Sequence, residues 1–249
     1  MIQNEPGILY SNLSGKKALV LGGSGGIGKA IAGHLAASGA KLLVQGRNKK
    51  KLEECIRQFG ANSSFIVAEL QDGIASEELA EAARNCDILV LSYAPFLYSS
   101  LANTRPEDWY RLSLACLALP GVLATEAAKG MAKRGFGRIL FFGGTRTDAI
   151  RGYKMNAVYA AAKTALAVLV KSLAMEFGEQ GLACAMLCPG FVDTEYLDEE
   201  TREKYRLLSP GQELISTDRL AALALRVISS DMELVNGSII NADKGLYSF

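Results

Sequence analysis

The chain alternates short apolar runs with longer segments of helical periodicity along nearly its whole length, which restricts the folds open to it. The apolar runs have strand length and lie at residues 17–22, 41–45, 64–68, 87–91, 138–142, 182–187 and 238–241. Helical patterns lie at residues 29–38, 49–58, 75–84, 105–134, 157–177 and 218–229. Strands that are apolar on both faces and joined by helices are typical of a parallel sheet with helices on both faces. The sequence therefore predicts an α/β fold with right-handed crossovers.

Composition argues against several classes of partner. The 249 residues carry 27 Lys plus Arg and 26 Asp plus Glu, a net charge of +1. Proteins that bind nucleic acid or anionic membranes usually have a strong basic excess. Because no window of 18 uninterrupted apolar residues occurs, we expect no membrane span. The length is typical of one α/β domain, so residues 1–249 are expected to form a single domain with neither nucleic acid nor membrane as its partner.

Cysteine and histidine usage bears on compartment and on metal chemistry. The five cysteines are odd in number and lack CxxC spacing, and the N-terminus has no secretory pattern. These features predict reduced thiols in a cytoplasmic protein. The single histidine, His34, leaves little material for a His-based zinc site or a Ser-His-Asp triad. No cluster of acidic ligands is evident either, so we expect no metal site.

A glycine-rich loop follows the first predicted strand and opens the first helix, with the sequence Gly22-Gly23-Ser24-Gly25-Gly26-Ile27-Gly28. Glycines allow a tight turn and close approach of the backbone to an anion, and the helix N-terminus supplies free N–H groups. The spacing also fits the start of a P-loop that ends in Gly28-Lys29. However, Ala30 stands where a P-loop needs a hydroxyl for magnesium. We therefore favour a dinucleotide-binding loop over a P-loop or a ligand-free turn.

The end of the second predicted strand bears on which dinucleotide is bound. An NAD site usually has an acidic residue here that binds the ribose 2′-hydroxyl. The sequence instead reads Val44-Gln45-Gly46-Arg47-Asn48, and the guanidinium of Arg47 suits a 2′-phosphate. The lysines at 49–51 either add positive potential or form a solvent-exposed helix face. This pattern predicts NADP(H) as the cofactor.

Tyr159 and Lys163 are four residues apart in a helical segment of small residues. That spacing places both side chains on one helix face. A nearby ammonium favours the phenolate and lowers the tyrosine pKa, which makes the phenol a better proton donor near neutral pH. An isolated pair with this spacing is common, but its position after a dinucleotide loop favours a catalytic role.

Several motifs in order resemble those of the short-chain dehydrogenase/reductase family, from Leu13 to the C-terminus. Leu21 to Gly28 is similar to the family's Thr-Gly-x3-Gly-x-Gly, with leucine in place of threonine, and the YxxxK motif is intact. The segment 189–194 (PGFVDT) is similar to PGxVxT, and 241–245 (NADKG) to NVDGG. The resemblance implies a single-domain, Rossmann-like, doubly wound parallel sheet of seven strands, with residues 1–12 as an N-terminal extension.

The resemblance also implies roles for individual residues. Tyr159 would be the general acid, and Lys163 would bind the nicotinamide ribose and lower the tyrosine pKa. Glu69 stands where the family usually has an aspartate beside the adenine. The cofactor contacts implied by the matching positions are Gly22, Ser24, Gly26, Ile27, Gly28, Arg47, Asn48, Glu69, Leu70, Ser92, Tyr93, Ala94, Tyr159, Lys163, Pro189, Gly190, Val192 and Thr194.

The sequence departs from the family pattern at three places. The family's Asn-Asn-Ala-Gly after the fourth strand is replaced by residues 91–94 (LSYA), which alters the support of the cofactor ribose. The asparagine of the long helix aligns with Cys116, a weak hydrogen-bonding group. We expect Cys116 to be a small buried side chain rather than part of a proton relay. The catalytic serine aligns with Gly144, which has no hydroxyl. Thr145 is the favoured substitute, with Thr147, Tyr153 or no substitute as alternatives.

These observations lead to two competing functions. The favoured hypothesis is an NADP(H)-dependent oxidoreductase acting on a carbonyl or alcohol substrate, with Tyr159, Lys163 and Thr145 as catalytic residues. The alternative is a degenerate family member that binds NADP(H) as a sensor or interaction protein. A magnesium-dependent nucleotidase is disfavoured by Ala30. The polar segment 195–213 is expected to be a substrate lid rather than a plain surface excursion, and a homo-oligomer, with a tetramer favoured, is implied by the resemblance alone.

Overall fold

The computed structural model describes residues 13–70, 72–229 and 232–246, and the predicted N-terminal extension at 1–12 lies outside them. The larger helices are α1 (Gly26–Ala37), α2 (Lys49–Phe59), α3 (Glu77–Asn85), α4 (Pro106–Ser113), α5 (Leu119–Arg134), α6 (Ala157–Phe177), α7 (Glu199–Leu208) and α8 (Thr217–Ser229). The strands are β1 (Lys17–Leu21), β2 (Lys41–Gly46), β3 (Ser63–Val67), β4 (Ile88–Leu91), β5 (Gly137–Phe142), β6 (Leu182–Pro189), β7 (Val192–Asp193), β8 (Ile215–Ser216) and β9 (Ser238–Ala242).

Seven strands form one parallel sheet in the order β3-β2-β1-β4-β5-β6-β9. Register is set by pairs such as Leu19 with Leu43 and Leu19 with Leu89. The order reverses between β1 and β4, and the carboxyl ends of strands at such a switch point open a crevice. The predicted α/β class and seven-stranded, doubly wound sheet are confirmed. The two-residue strands β7 and β8, which pair with each other, were not predicted.

The core lies on both faces of this sheet, as the apolar strands require. Side chains alternate along β1, so that Val20 packs under α1 and α8 whereas Leu19 packs under α3 and α5. Both residues are fully buried. Because successive strand residues point to opposite faces, a strand covered by helices on both sides must be apolar throughout. The continuous apolar runs in the sequence follow from this requirement.

The predicted helix boundaries agree within two residues where side-chain caps mark the N-termini. Asn48 accepts from the Lys51 N–H at 3.1 Å, and Ser76 accepts from the Leu79 N–H at 3.2 Å. Such caps satisfy N–H groups that have no intrahelical partner. Helix α1 begins earlier than predicted, at Gly26, because the last glycines of the loop form its first turn.

The predicted helix at 105–134 is interrupted. A π-helical turn at Leu114–Ala118 separates α4 from α5, and Pro120 lies in the first turn of α5. Proline has no N–H that could bond the carbonyl four residues earlier, and an irregularity was therefore predicted at Pro120. The structure has this irregularity as a wider, π-helical turn that ends two residues before Pro120. Cys116 is in the middle of this turn and faces the interior.

Two helical stretches, Pro106–Arg134 and Ala157–Gln180, are long and apolar enough to cross a membrane by length and composition alone. Both pack on the sheet, with Leu123 and Val170 fully buried. Core burial therefore accounts for much of their apolar character.

Candidate active site

The glycine loop between β1 and α1 is built so that side chains are excluded from it. Gly22 has φ of +70° and Gly26 has φ of +50°, a region that favours glycine. A Cβ on Gly28 would lie 2.5 Å from the Gly22 carbonyl oxygen. A Cβ on Gly23 would lie 2.7 Å from a methyl carbon of Val44. The turn is thus folded tightly against its own backbone and against β2.

A buried glutamine that the sequence analysis did not single out braces this loop. The Gln45 side chain accepts from the Gly22 N–H at 3.0 Å and donates to the Ala68 carbonyl at 2.7 Å. It therefore links the loop to the end of β3. Its signal in the sequence is one amide in an otherwise apolar strand, because a buried polar group must find partners.

The N-terminus of α1 holds an anion supplied by the chain itself. The Gly26 N–H donates to both carboxylate oxygens of Glu195, at 2.9 and 3.1 Å. Tyr196 lies over Gly25, where its hydroxyl would collide with an added Cβ. The carboxylate is a stand-in anion, and its position fits the expectation that this helix end accepts a phosphate group. The segment 195–213 is predicted as a substrate lid, but nothing in the sequence predicts the contact of Glu195 with Gly26.

The residues predicted to read the adenosine end lie after β2 and β3. The Arg47 side chain is 67% exposed, and its Nη1 is 3.8 Å from a carboxylate oxygen of Glu69. Asn48 caps α2, so its side-chain oxygen is already bonded. Leu70 is buried and donates its N–H to Glu69 at 3.0 Å. The Arg47 guanidinium is thus exposed beside a carboxylate. The side chain of Asn48 caps α2, and that of Leu70 packs in the core. The lysines at 49–51 are exposed.

The altered motif after β4 keeps its position beside the glycine loop. The Ser92 hydroxyl donates to the Leu21 carbonyl and so links the ends of β4 and β1. Tyr93 packs closely against Gly22: a Cβ added to Gly22 would lie 3.1 Å from the Tyr93 Cα. The Tyr93 hydroxyl is buried with no hydrogen-bond partner, and burial raises the pKa of Tyr93 to about 12. An unpartnered buried hydroxyl of this kind calls for an explanation, and a bound ligand is one.

Tyr159 and Lys163 meet in the crevice as their spacing predicts. Lys163 is 2% exposed; its Nζ donates to the Phe142 carbonyl at 2.7 Å and lies 5.9 Å from the centre of the Tyr159 ring. The Phe96 ring packs edge-on against Tyr159 at 5.1 Å. Burial raises the pKa of Tyr159 and lowers the pKa of Lys163. The pKa of Tyr159 is therefore shifted in the direction opposite to the predicted one, and the main cause is desolvation by burial.

Gly144, the residue aligned with the family's serine, lies beside the Tyr159 side chain. A Cβ there would be 2.9 Å from Tyr159 Cε1 and 3.3 Å from the Tyr159 hydroxyl. Thr147 is buried and bonds both backbone groups of Gly144, accepting from its N–H at 2.8 Å and donating to its carbonyl at 3.0 Å. Thr147 is therefore committed to the loop. Thr145 is half-buried and lines the cavity, and the Tyr153 hydroxyl donates to the Thr145 carbonyl at 3.3 Å.

Cys116 has the environment predicted for it. It is fully buried, its Sγ is 3.6 Å from the Pro95 carbonyl oxygen, and burial raises the pKa of its thiol. A neutral thiol beside one carbonyl packs as a small apolar side chain.

These elements surround a cavity of 970 Å³ at the carboxyl ends of the strands. A cavity of this size suits a small-molecule ligand. The predicted residues that line it are Ile27, Ser92, Ala94, Thr145, Tyr159, Lys163, Pro189, Gly190, Val192 and Thr194. The other predicted cofactor residues lie along the loop and the strand ends beyond it. In the part of the chain that is described, no group of three or more His, Cys, Asp or Glu side chains could hold a metal ion.

Comparisons with known proteins agree with this geometry. The sequence profile of the short chain dehydrogenases matches residues 16–205. The 3-oxoacyl-acyl-carrier-protein reductase FabG of Escherichia coli is 28% identical over 243 residues, covering 95% of this chain and 99% of that protein. A solved short chain dehydrogenase/reductase family protein superposes with a TM-score of 0.86 at 29% identity, covering 96% of this chain and 100% of the other. The 3-oxoacyl reductase of Agrobacterium tumefaciens C58 with NADP bound gives a TM-score of 0.85 at 26% identity, with 94% and 95% covered.

Proposed function

The chain belongs to the short-chain dehydrogenase family, and from that membership we propose that it is an NADP(H)-dependent oxidoreductase that interconverts a carbonyl compound and its alcohol. The observation that carries the proposal is the meeting of Tyr159 and Lys163 in one cavity with the glycine loop beside it. Relatives with the same architecture include an enzyme solved with NADP. A plain binding protein has little need of this tyrosine–lysine pair.

The residues of the crevice fit an NADP(H) molecule. The Gly26 N–H, which bonds a carboxylate in this structure, would bind a diphosphate oxygen instead. Arg47 would meet the 2′-phosphate at the end of β2. Ser92, Ala94, Pro189, Gly190 and Thr194 would line the nicotinamide half. When bound, the dihydronicotinamide supplies the hydride.

The chain's own residues would handle the proton and the developing negative charge. The phenol of Tyr159 is protonated at neutral pH and would donate its proton to the carbonyl oxygen, although burial, which raises its pKa, makes it a weaker acid than a free tyrosine. Lys163, held by the Phe142 carbonyl, would bind the nicotinamide ribose and stabilise the phenolate left behind. Thr145 would take the place of the missing serine as a second donor, since Thr147 is already committed to Gly144.

The competing function is a catalytically degenerate binder of NADP(H). Gly144 favours it, because position 144 faces the Tyr159 hydroxyl and carries no donor. Loss of one such donor typically costs about 10²–10³ in rate, which leaves room for a slow or specialised enzyme. The degenerate alternative predicts NADPH binding with no turnover of any carbonyl.

We also propose a homo-oligomer, with a tetramer favoured, and a cytoplasmic location with neither membrane nor nucleic acid as partner. Apolar side chains remain exposed on α4, the π-helical turn, α5 and α6, namely Trp109, Leu114, Val122, Val168 and Met175. Exposed apolar patches on a folded domain are typical of association surfaces. Sedimentation at micromolar concentration tests this, and a monomer there would contradict it.

The decisive experiment follows nicotinamide absorbance with NADPH or NADH and a panel of ketones, diketones, quinones and oxoacyl thioesters. Wild type is compared with Tyr159→Phe and with Tyr110→Phe, which removes an exposed hydroxyl on α4. We expect turnover with NADPH that falls by about 10²–10⁴ in Tyr159→Phe and is unchanged in Tyr110→Phe. Turnover that survives in Tyr159→Phe would contradict the assigned role. NADPH binding without any turnover would favour the degenerate binder.

A further inference from the structure

The charged side chains that line the 970 Å³ cavity all have the same sign. They are Arg146, Lys154, Lys163 and Lys204, and no aspartate or glutamate occurs among the described residues of the lining. Lys163 belongs to the proposed catalytic pair. The other three have no part in proton or hydride transfer. A cavity whose walls carry only positive charge attracts an anion and disfavours a cation.

Arg146 lines the same cavity as Tyr159 and Lys163. It follows Gly144 and Thr145, and its backbone has φ of +67°, which a residue with a side chain rarely adopts. Its carbonyl accepts from Arg151 Nη1 at 3.1 Å, and the same Nη1 bonds Asp148 at 2.6 Å. The nearby carboxylate of Asp148 therefore neutralises Arg151. Backbone held in a rare conformation beside an active site is a pointer to function.

The guanidinium of Arg146 lies near one aromatic ring. Its Cζ is 5.8 Å from the centre of the Tyr153 ring, and Tyr153 in turn donates to the Thr145 carbonyl. This places the arginine on the same short loop as the proposed second donor. A planar guanidinium is suited to grip a carboxylate or phosphate with two parallel hydrogen bonds.

Lys204 approaches the cavity from α7, within the segment predicted as a lid. Its Nζ is 5.8 Å from the centre of the Tyr98 ring. The same lining also includes the apolar and aromatic side chains of Phe96, Phe191, Tyr205 and Leu208. Phe191 and Tyr205 stack at 4.3 Å. The cavity thus combines cationic side chains with apolar and aromatic ones.

We propose that the substrate is a carbonyl compound that carries an anionic group, a carboxylate or a phosphate, joined to the carbonyl by an apolar segment. Arg146 binds that group directly, and Lys154 and Lys204 strengthen the attraction. This proposal rests on the oxidoreductase function proposed above and specifies its substrate class. Arg146 is a specificity-determining residue and takes no part in bond making or breaking.

The test uses matched pairs of ketones that differ only in charge: an oxo acid against its methyl ester, and a phosphorylated ketone against its free alcohol. Wild type is compared with Arg146→Asn, since asparagine tolerates the left-handed backbone, and with Lys204→Gln. Lys171→Gln, at an exposed position on α6 outside the cavity, is the control. Initial rates with NADPH give kcat and KM separately for each compound.

We expect wild type to prefer an anionic member of a pair. Arg146→Asn should raise KM for that compound by about 10- to 100-fold, the typical effect of removing a hydrogen bond to a charged group. The neutral member should be unaffected, Lys204→Gln should give a smaller change in the same direction, and Lys171→Gln none. Which pair responds identifies carboxylate or phosphate. Equal use of both members by wild type, or an equal loss on both in Arg146→Asn, would overturn the proposal.

Binding measurements separate this proposal from the proposed function. Calorimetric titration of the anionic and neutral compounds into the protein saturated with NADP⁺ needs no turnover. Anion-selective binding that disappears in Arg146→Asn supports the substrate class even if no rate is seen, in which case the degenerate binder gains support. Turnover without anion selectivity overturns the substrate class and leaves the oxidoreductase standing. Absence of both selectivity and turnover overturns both.

Discussion

The two walls of the crevice are specified in different ways. The wall formed by β1, α1 and β2, here called the backbone wall, is specified mainly by backbone geometry. Added Cβ atoms at Gly23 and Gly28 would collide there with strand side chains or with the loop itself. The wall formed by β4, β5 and the π-helical turn, here called the side-chain wall, is specified mainly by its side chains. All three departures from the family pattern lie there, at residues 91–94, Cys116 and Gly144.

This difference shows which part of the protein is free to vary. A backbone cradle for phosphate groups tolerates few changes, because each glycine is fixed by a steric requirement. A wall that presents hydroxyls can move its donor to a neighbouring residue while the strand stays in place. Under the function proposed above, Gly144 and Thr145 would be an example of the second case.

After the loss of Tyr159, the largest effect is expected on the side-chain wall, from a pair of threonines. Thr145→Val should lower kcat by about 10²–10³, the usual effect of losing one donor to a developing oxyanion, with Tm unchanged. Thr147→Val should instead lower Tm, because it leaves the buried Gly144 N–H and carbonyl without their hydroxyl partner. Steady-state kinetics and thermal unfolding measured on both variants decide the matter.

The opposite pattern would locate the second donor elsewhere. A loss of kcat in Thr147→Val at unchanged Tm would assign the role to Thr147. Unchanged kcat in both variants would leave Tyr159 as the only protein donor to the carbonyl, and the side-chain wall would then be simpler than we propose.

The backbone wall should respond in binding rather than in rate. In Gly28→Ala the new methyl group meets the Gly22 carbonyl oxygen and the Ser92 hydroxyl at 2.5 Å. Overpacking of this kind costs about 1–3 kcal/mol. If the glycine loop shifts to relieve the collision, NADPH should bind about 10- to 100-fold more weakly. Fluorescence titration of NADPH measures the change. Gly33→Ala, in the same helix with only an ordinary contact at 3.5 Å to Phe59, is the control, and equal weakening there would refute the steric argument.

The same division explains what the sequence could predict. Strand and helix order followed from apolar runs, since a buried parallel sheet leaves no choice of side-chain type. The glycine loop and the Tyr159–Lys163 pair were predictable because each motif has its geometry built into its spacing. These features depend on local backbone and helical periodicity, which are present in the sequence itself.

Contacts between distant segments were not predictable. Glu195 bonds Gly26 across 169 positions of the chain, and no spacing in the sequence records that approach. Thr145 was favoured over Thr147 as the substitute for the serine, but the sequence does not show that the Thr147 hydroxyl turns inward to Gly144. Desolvation reversed the expected pKa direction for Tyr159, since the depth of the pocket is a tertiary property.

A smaller effect is expected from Arg47, the residue at the end of β2 that is proposed to bind the 2′-phosphate. Arg47→Leu should weaken NADPH binding by about 10-fold, because the lost contact is charge-assisted but screened at a 67% exposed position. NADH binding should hardly change. Lys50→Gln, a neighbouring exposed lysine, is the control. If both cofactors lose affinity equally in Arg47→Leu, the arginine does not read the 2′-phosphate.

The smallest effect concerns the contact between the polar segment 195–213 and the N-terminus of α1. Glu195 occupies the N-terminus of α1 and must leave before a phosphate oxygen can bond the Gly26 N–H. A carboxylate at such a position is worth about 0.3–1 kcal/mol. Removing its charge in Glu195→Gln should therefore tighten NADPH binding by about two- to fivefold, with a weaker dependence on salt. Glu200→Gln, another exposed acid in the same segment, should change neither. Equal tightening in both variants would mean general repulsion of NADPH by the segment, whereas no change in either would mean that the Glu195 carboxylate does not compete with the phosphate. Selective tightening in Glu195→Gln would show that the segment 195–213 regulates the access of NADPH to the N-terminus of α1.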